Sequence, residues 1–223
     1  MAKGGKKVED STTDLLRTIR RHADETATDL GQGAKESDRE LMTRAQGGDV
    51  KAFGSLFRRC SPGIWQMAYL LLHSADAAED IVQETFMRAF EHVGDFRGES
   101  EPKSWLSAIA LNACRLSIRK KSSGAITADT SKLDQGNAVA GPRRGILTSL
   151  LRRETSRRLA LALGFLTEPQ REVFVLHYVE GLPYEEVAKL MDTTAGAARA
   201  LSQRARTILQ EKLKGDATAV RMS

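Results

Sequence analysis

The stretch DAAEDIVQETFMRAFEHVGDF, Asp76 to Phe96, narrows the possible folds most, because its apolar residues recur with a helical period. Ala78, Ile81, Val82, Thr85, Phe86, Ala89 and Val93 follow i, i+3, i+4, i+7 spacing and so share one face. Asp76, Asp80, Gln83, Glu84, Met87 and Glu91 occupy the opposite flank. The chain as a whole is basic, with 34 Lys and Arg against 29 Asp and Glu and a formal net charge of +5. A helix that is apolar inside and acidic outside is therefore a local exception. On charge pattern alone, its ordinary explanation is a solvated surface.

The helical period returns along the chain, and no strand pattern of comparable strength appears. Ser37 and Glu40 have capping-box spacing, Leu41 and Met42 begin an apolar period, and Gly47 and Gly48 end it. Phe53, Leu56, Phe57, Ile64, Met67, Ala68 and Leu71 continue with helical spacing, and Pro62 is expected to break or kink that helix. After the turn GDFRGESEP, Pro102 suits the first turn of a helix whose stripe Trp105, Leu106, Ile109, Ala110, Ala113 and Leu116 faces a core. Asn112, Arg115 and Arg119 share a neighbouring edge that runs into Lys120 and Lys121. Residues 122 to 145 carry the Gly, Ser, Asp and Pro content of a linker.

A second helical block is expected from near Leu150 to about Leu213. Thr167 and Gln170 form another capping box, with Pro169 in the first turn, ahead of the helical run REVFVLHYVEG. Pro183 then starts YEEVAKLM, a short DTT turn follows, and AGAARALSQRARTILQEKL makes the last helix. Helix, short turn and helix is the helix-turn-helix outline, in which the second helix can enter the DNA major groove. The expected fold class is all-α: two helical domains joined by a flexible linker, the C-terminal one a helix-turn-helix. The expected segments are a flexible leader over 1–36 with a short helix around Asp14 to Arg21, domains over 37–121 and 150–215, a linker over 122–149 and a tail over 216–223.

Several function classes recede on composition and spacing. The longest apolar run, roughly Met67 to Leu72, falls far short of the ~20 residues of a spanning helix, and the N-terminus has no apolar signal core, so a cytoplasmic protein without membrane insertion is expected. Cys60 and Cys114 are the only cysteines and have no CxxC spacing; two reduced, structural thiols are expected, and no metal site. The four histidines, His22, His73, His92 and His177, lie in separate segments, and no nucleophile elbow, phosphate loop or metal spacing accompanies them. Neither an enzyme nor a cofactor is therefore expected.

The order of these elements resembles the extracytoplasmic-function class of bacterial RNA polymerase sigma factors, within the sigma-70 family. The resemblance rests on DAAEDIVQETFMRAFEHVGDFRG, SWLSAIALNACRLSIRKK and LTEPQREVFVLHYVEGLPYEEVAKLMDTTAGAARALSQRARTILQEKL, and spans roughly residues 38 to 213. It implies that the acidic helix docks on the coiled coil of the polymerase's largest subunit, with Asp80, Gln83, Glu84 and Phe90 at matching positions. It implies that the next helix supports strand opening at the minus-10 element. Asn112 there matches a pocket asparagine for a flipped base, Trp105 matches a helix-opening tryptophan expected to be largely core, and Arg115, Arg119, Lys120 and Lys121 would hold phosphates. In the second domain Arg199, Gln203 and Arg206 fit base-edge and phosphate contacts by their i, i+4, i+7 spacing along the last helix, while the resemblance keeps Arg199, Arg204 and Arg206 and sets His177 where a basic minus-35 contact often lies. The implied partners are core RNA polymerase, promoter DNA and an anti-sigma factor.

The last helix departs from the family pattern. Leu201 stands where an exposed arginine is usual, Ser202 where a core aliphatic is usual, and Ala197 where a threonine could cap the helix or contact phosphate. Minus-35 recognition that is unusual or weak is therefore expected. Two other readings compete: a helix-turn-helix regulator acting without polymerase docking, which leaves the acidic helix as mere surface, and a soluble helical enzyme, for which no constellation can be named.

Overall fold

A computed structural model describes residues 36–123, 157 and 159–219, the side chains of 122–123 and 213–219 excepted. The helix expected around Asp14 to Arg21, the linker from 124 onward, the start of the second block near Leu150 and the end of the tail lie outside the described residues. Those described are helical, with no strand among them, and fall into two compact units, one within Gly31–Arg152 and one within Arg153–Ser223.

The first unit contains α1 (Asp38–Gln46), α2 (Val50–Leu72), α3 (Ala75–Glu91), a short 3-10 turn (Val93–Asp95) and α4 (Pro102–Ser123). The starts of α1, α2 and α3 are each fixed by a side chain that satisfies backbone N–H groups which a helix leaves unpaired. Ser37 and Glu40 make the expected reciprocal box at α1, with the Ser37 N–H donating to the Glu40 carboxylate at 2.6 Å. That bond holds the Glu40 carboxyl below its usual range. Asp49 caps α2 by accepting from the N–H groups of Lys51 and Ala52, at 2.9 and 3.1 Å. Arg44 pairs with both Asp49 and Glu36, which raises the Arg44 guanidinium and lowers the Asp49 carboxyl. Ser74 caps α3 through the Ala77 N–H, and α4 begins at Pro102, as expected.

Two expectations are corrected here. Of the break or kink expected at Pro62, the break does not occur: α2 is continuous over 23 residues with the proline inside it. Proline removes the N–H that would serve the Arg58 carbonyl, but Pro62 and Arg58 both lie on the exposed side, where water can take that place. Leu116 is not core: it is 42% exposed, and Ser104, Ser107, Leu111 and Cys114 are buried in addition to Leu106, Ala110 and Ala113. The buried face of α4 is thus broader than one stripe, because α4 packs against both α2 and α3 and against α1 as well.

α3 lies against α2 and α4, and its face Ala78, Ile81, Val82, Thr85, Phe86 and Ala89 is buried as its period predicts. Leu41, Met42, Ala45, Ala52 and Leu56 form a cluster between α1 and α2, onto which Phe53, Val93, Phe96 and Trp105 pack. Trp105 is half-buried, edge-to-face with Phe96 at 5.5 Å. Gln46 donates to the Phe96 carbonyl and Arg39 to the Gly98 carbonyl, so α1 holds down the turn between α3 and α4. Gly98 has φ of +74°, a left-handed value that a side chain would strain.

The second unit contains the helical segment that ends at residue 163, α5 (Glu168–Phe174), a π-helical turn (Val175–Val179), α6 (Tyr184–Leu190) and α7 (Ala195–Ala219). Gln170 accepts from the Thr167 N–H at 3.0 Å, which closes the expected box at α5. The helical run after the box widens at Val175, where the Glu180 N–H donates five residues back to the Val175 carbonyl. α7 runs to Ala219, past the expected end near Leu213. Arg171, half-buried, donates to the carbonyls of Leu163 and Leu166 at the C-terminal end of the preceding helix, and burial lowers its pKa.

Because Pro62 costs α2 one hydrogen bond and its ring lies toward solvent, Pro62→Ala is expected to stabilise the first unit by about 1–3 kcal/mol. Urea unfolding measures this, and an unchanged or lower midpoint would mean that the proline ring has contacts its exposure does not reveal.

Candidate functional site

The outer face of α3 is acidic and partly apolar. Asp80, Gln83 and Glu91 are exposed, Glu84 is half-buried and ion-paired one turn on with Arg88, and these line a shallow depression together with Met87. Met87 and Phe90 are 65% and 52% exposed. The Phe90 ring is not loose: it stands edge-to-face to Phe53 of α2 at 5.2 Å, and Phe53 in turn meets the buried Phe86 at 6.3 Å. Phe57, 41% exposed, meets Phe86 at 4.7 Å. Packing in the core thus holds an aromatic edge at the surface beside carboxylates. Helical period alone counts Phe57 as core, and it counts Met87 merely as part of the flank; neither reveals that both join Phe90 at the surface.

The C-terminal half of α4 carries the opposite sign. Asn112, Arg119, Lys120 and Lys121 are exposed or half-buried, and Arg115 is half-buried. Asn112, Arg115 and Arg119 share one edge of α4, and the two lysines close its last turns, where cations also complement the helix dipole. α3 and α4 pack on each other, so the acidic face and the basic end belong to one folded unit.

In the second unit α6, a tight turn and α7 make a helix-turn-helix. Asp192 takes φ of +50° in the turn, and the Thr193 N–H donates to the Ala188 carbonyl at 2.9 Å. Thr194 caps α7, its hydroxyl accepting from the Ala197 N–H at 3.2 Å. The capping role for which a threonine at 197 would be suited is thus filled from 194. Arg199, Gln203, Arg204 and Arg206 are exposed along α7. Ser202 is completely buried and Leu201 only half so, which bears out the exchange of polar and apolar neighbours read from the sequence. The buried hydroxyl has a partner: Tyr184 donates to it at 2.9 Å across the α6–α7 seam. Burial pushes the Tyr184 phenol above its ordinary pKa, with the Ser202 hydrogen bond opposing. His177 is half-buried; its Nδ1–H donates to the Leu182 carbonyl at 2.8 Å, and its ring stacks on Tyr184 at 3.9 Å.

Comparison with known proteins bears directly on this arrangement. Residues 56–124 match the family model Sigma-70 region 2, and residues 156–209 match Sigma-70, region 4. The ECF RNA polymerase sigma-E factor of Escherichia coli K12 is 30% identical over 186 residues, covering 80% of this chain and 95% of that protein. The chain belongs to the extracytoplasmic-function sigma factors of the sigma-70 family. RNA polymerase sigma-H factor of Pseudomonas aeruginosa is 29% identical over 184 residues, 81% of this chain and 95% of that protein. Among solved structures, CnrH in complex with the cytosolic domain of CnrY matches with a TM-score of 0.62 at 28% identity, over 81% of this chain and 99% of that one. Sigma factor RpoE in complex with the anti-sigma factor NepR from Bartonella quintana matches with a TM-score of 0.57 at 28% identity, over 74% of this chain and 98% of that one.

As a sigma factor the protein binds core RNA polymerase and directs promoter-specific transcription initiation. The competing reading of a regulator that ignores polymerase leaves the region 2 match unexplained. Sigma factors in general are not enzymes. Among the described residues no group of His, Cys, Asp or Glu is arranged to hold a metal ion, and no helix is long and apolar enough to cross a membrane.

Removing the α7 cap by Thr194→Ala leaves the Ala197 N–H without its side-chain acceptor and is expected to cost about 1 kcal/mol. Denaturant titration of the second unit reads this directly; a loss below a few tenths would show that water serves the N–H equally well.

Proposed function

We propose that the outer face of α3 is the polymerase contact, with Asp80, Gln83, Glu84 and Phe90 as its principal residues. The observation that carries this is the pairing of exposed Phe90 and Met87 with carboxylates on one helix face. A merely solvated face has no use for a fixed aromatic edge, whereas a basic helical partner can cover the apolar side chains and meet the acids together. The acids would orient the encounter and set its rate, and the covered apolar area would supply most of the affinity.

The opposite sign goes to DNA. Arg115, Arg119, Lys120 and Lys121 would track phosphates beside the minus-10 element, and Asn112, exposed on the same edge, would take the Watson–Crick edge of an extruded base. In the second unit α7 would enter the major groove at the minus-35 element with Arg199, Gln203, Arg204 and Arg206. His177 would contribute less than a free surface histidine, since its Nδ1 is already committed to Leu182. The domain limits 37–121 and 150–215 fit these two roles, with 122–149 as the connecting linker. By likeness to the two complexes, an anti-sigma protein is proposed as the regulator. The protein would act in the cytoplasm, where polymerase and promoter are, with no covalent chemistry by this chain and no cofactor.

Run-off transcription with purified core polymerase on a promoter library tests the assignment. Gln83→Ala/Glu84→Ala is expected to weaken binding to core at least tenfold and to abolish the transcripts while leaving DNA binding by the second unit unchanged. Undiminished core binding would place the polymerase contact elsewhere. Replacing Arg119, Lys120 and Lys121 by alanine is expected to lower the salt slope of promoter binding by about two to three, near one for each phosphate no longer neutralised. An unchanged slope would free these cations of any phosphate role.

A further inference from the structure

A serine at the centre of an interhelical seam needs explaining. Ser202 has no exposed surface, and a buried hydroxyl without a partner is destabilising. Its partner is the phenol of Tyr184, at 2.9 Å, so the bond that satisfies Ser202 also fixes the tyrosine at the first turn of α6. The ring so fixed has two further neighbours. The His177 imidazole lies nearly parallel to it, centroids 3.9 Å apart and planes 22° apart, and so fills one face. The Arg199 guanidinium also lies over the ring, its carbon 5.1 Å from the centroid. The Glu185 carboxylate, next to the tyrosine in sequence, reaches the same guanidinium at 3.5 Å.

We propose that Tyr184 is a positioning residue for promoter recognition: anchored through Ser202, its ring holds the Arg199 guanidinium ready at the N-terminal end of the recognition helix. The proposal rests on the reading that Arg199 contacts minus-35 DNA. A long cationic side chain otherwise loses rotamer freedom when it binds, and one already held over an aromatic face loses less. α7 presents its early residues to the groove, and Arg199 is one turn into it, so a change in its direction alters what it meets. Tyr184 itself, half-buried between the two helices, would act through Arg199 without needing to reach DNA.

The experiment uses the full chain with core polymerase. Its probe is a short duplex selected by the wild-type chain from a randomised pool, and binding is measured across a range of salt. Tyr184→Leu is expected to weaken binding about two- to fivefold, the scale of one cation–π contact. Arg199→Ala is expected to lower the salt slope by about one, and in the Tyr184→Leu background it should cost clearly less than in the wild type. Fully additive losses, or normal binding by Tyr184→Leu where Arg199→Ala binds weakly, would overturn the positioning role. An Arg199→Ala chain that binds as the wild type does would remove the DNA role of Arg199, and the inference with it. If Tyr184→Leu melts early by circular dichroism, Tyr184→Phe and Ser202→Ala carry the test, since both keep the ring and remove the anchoring bond, Ser202→Ala without leaving a buried hydroxyl unpaired. Similar, non-additive weakening supports the anchor; wild-type binding by both overturns it.

Discussion

Burial of one face of α3 between α2 and α4 decides what the first unit can show to its partners. Ile81 and Phe86 each contribute about 1.5–3 kcal/mol by leaving water, whereas the surface pair Arg88–Glu84 contributes at most about 1 kcal/mol. The apolar side therefore fixes the rotation of the helix, and the acids are left outside by default. The same burial controls the aromatic edge, because Phe86, enclosed, is the ring against which Phe53 and Phe57 stand, and Phe53 in turn holds Phe90 at the surface. A cavity at Phe86 would disturb the outer face without touching any residue on it.

The second unit solves a different problem with fewer residues. Its two-helix seam is partly polar, and the bond between Tyr184 and Ser202 stands where an aliphatic contact would otherwise join the helices. The π turn at Val175–Val179 belongs to the same solution. Just past it the Leu182 N–H donates to the Leu176 carbonyl and the Leu182 carbonyl accepts from His177. The histidine that stacks on Tyr184 thus sits within the π turn and is held by the backbone just beyond it.

Much of this was legible in the sequence where a local rule had no competitor. The capping boxes at Ser37 and Thr167, the buried face of α3, the start at Pro102 and the turn before α7 each follow from spacing within a few residues. The exchange at Leu201 and Ser202 was readable too, but only through the resemblance, which sets an exposed arginine and a core aliphatic at those two positions. The misses came where distant parts of the chain decide. Pro62 sits in α2 because the whole length of that helix packs on α1, α3 and α4, which outweighs one missing hydrogen bond. Leu116 fits the apolar period of α4 but is exposed, while Ser104 and Ser107 are buried, on a helix that packs against three others. The π turn has no signal in a helical period, and the partner of Ser202 is eighteen positions away.

The separation of charge within the first unit follows from that packing and limits how its partners can be arranged. α3 and α4 cannot rotate independently, since each buries a face against the other. A DNA backbone brought to the α3 face would meet Asp76, Asp80 and Glu91, and a basic coil brought to the end of α4 would meet Arg119, Lys120 and Lys121. Each wrong placement sets like charges together and is disfavoured without any specific contact. The net charge of +5 therefore hides a division that matters more than its sum. If the α3 face meets polymerase and the end of α4 meets DNA, salt screens both contacts, but the α3 face exposes Met87 and Phe90 beside its charges, so rising ionic strength should release DNA before it releases polymerase.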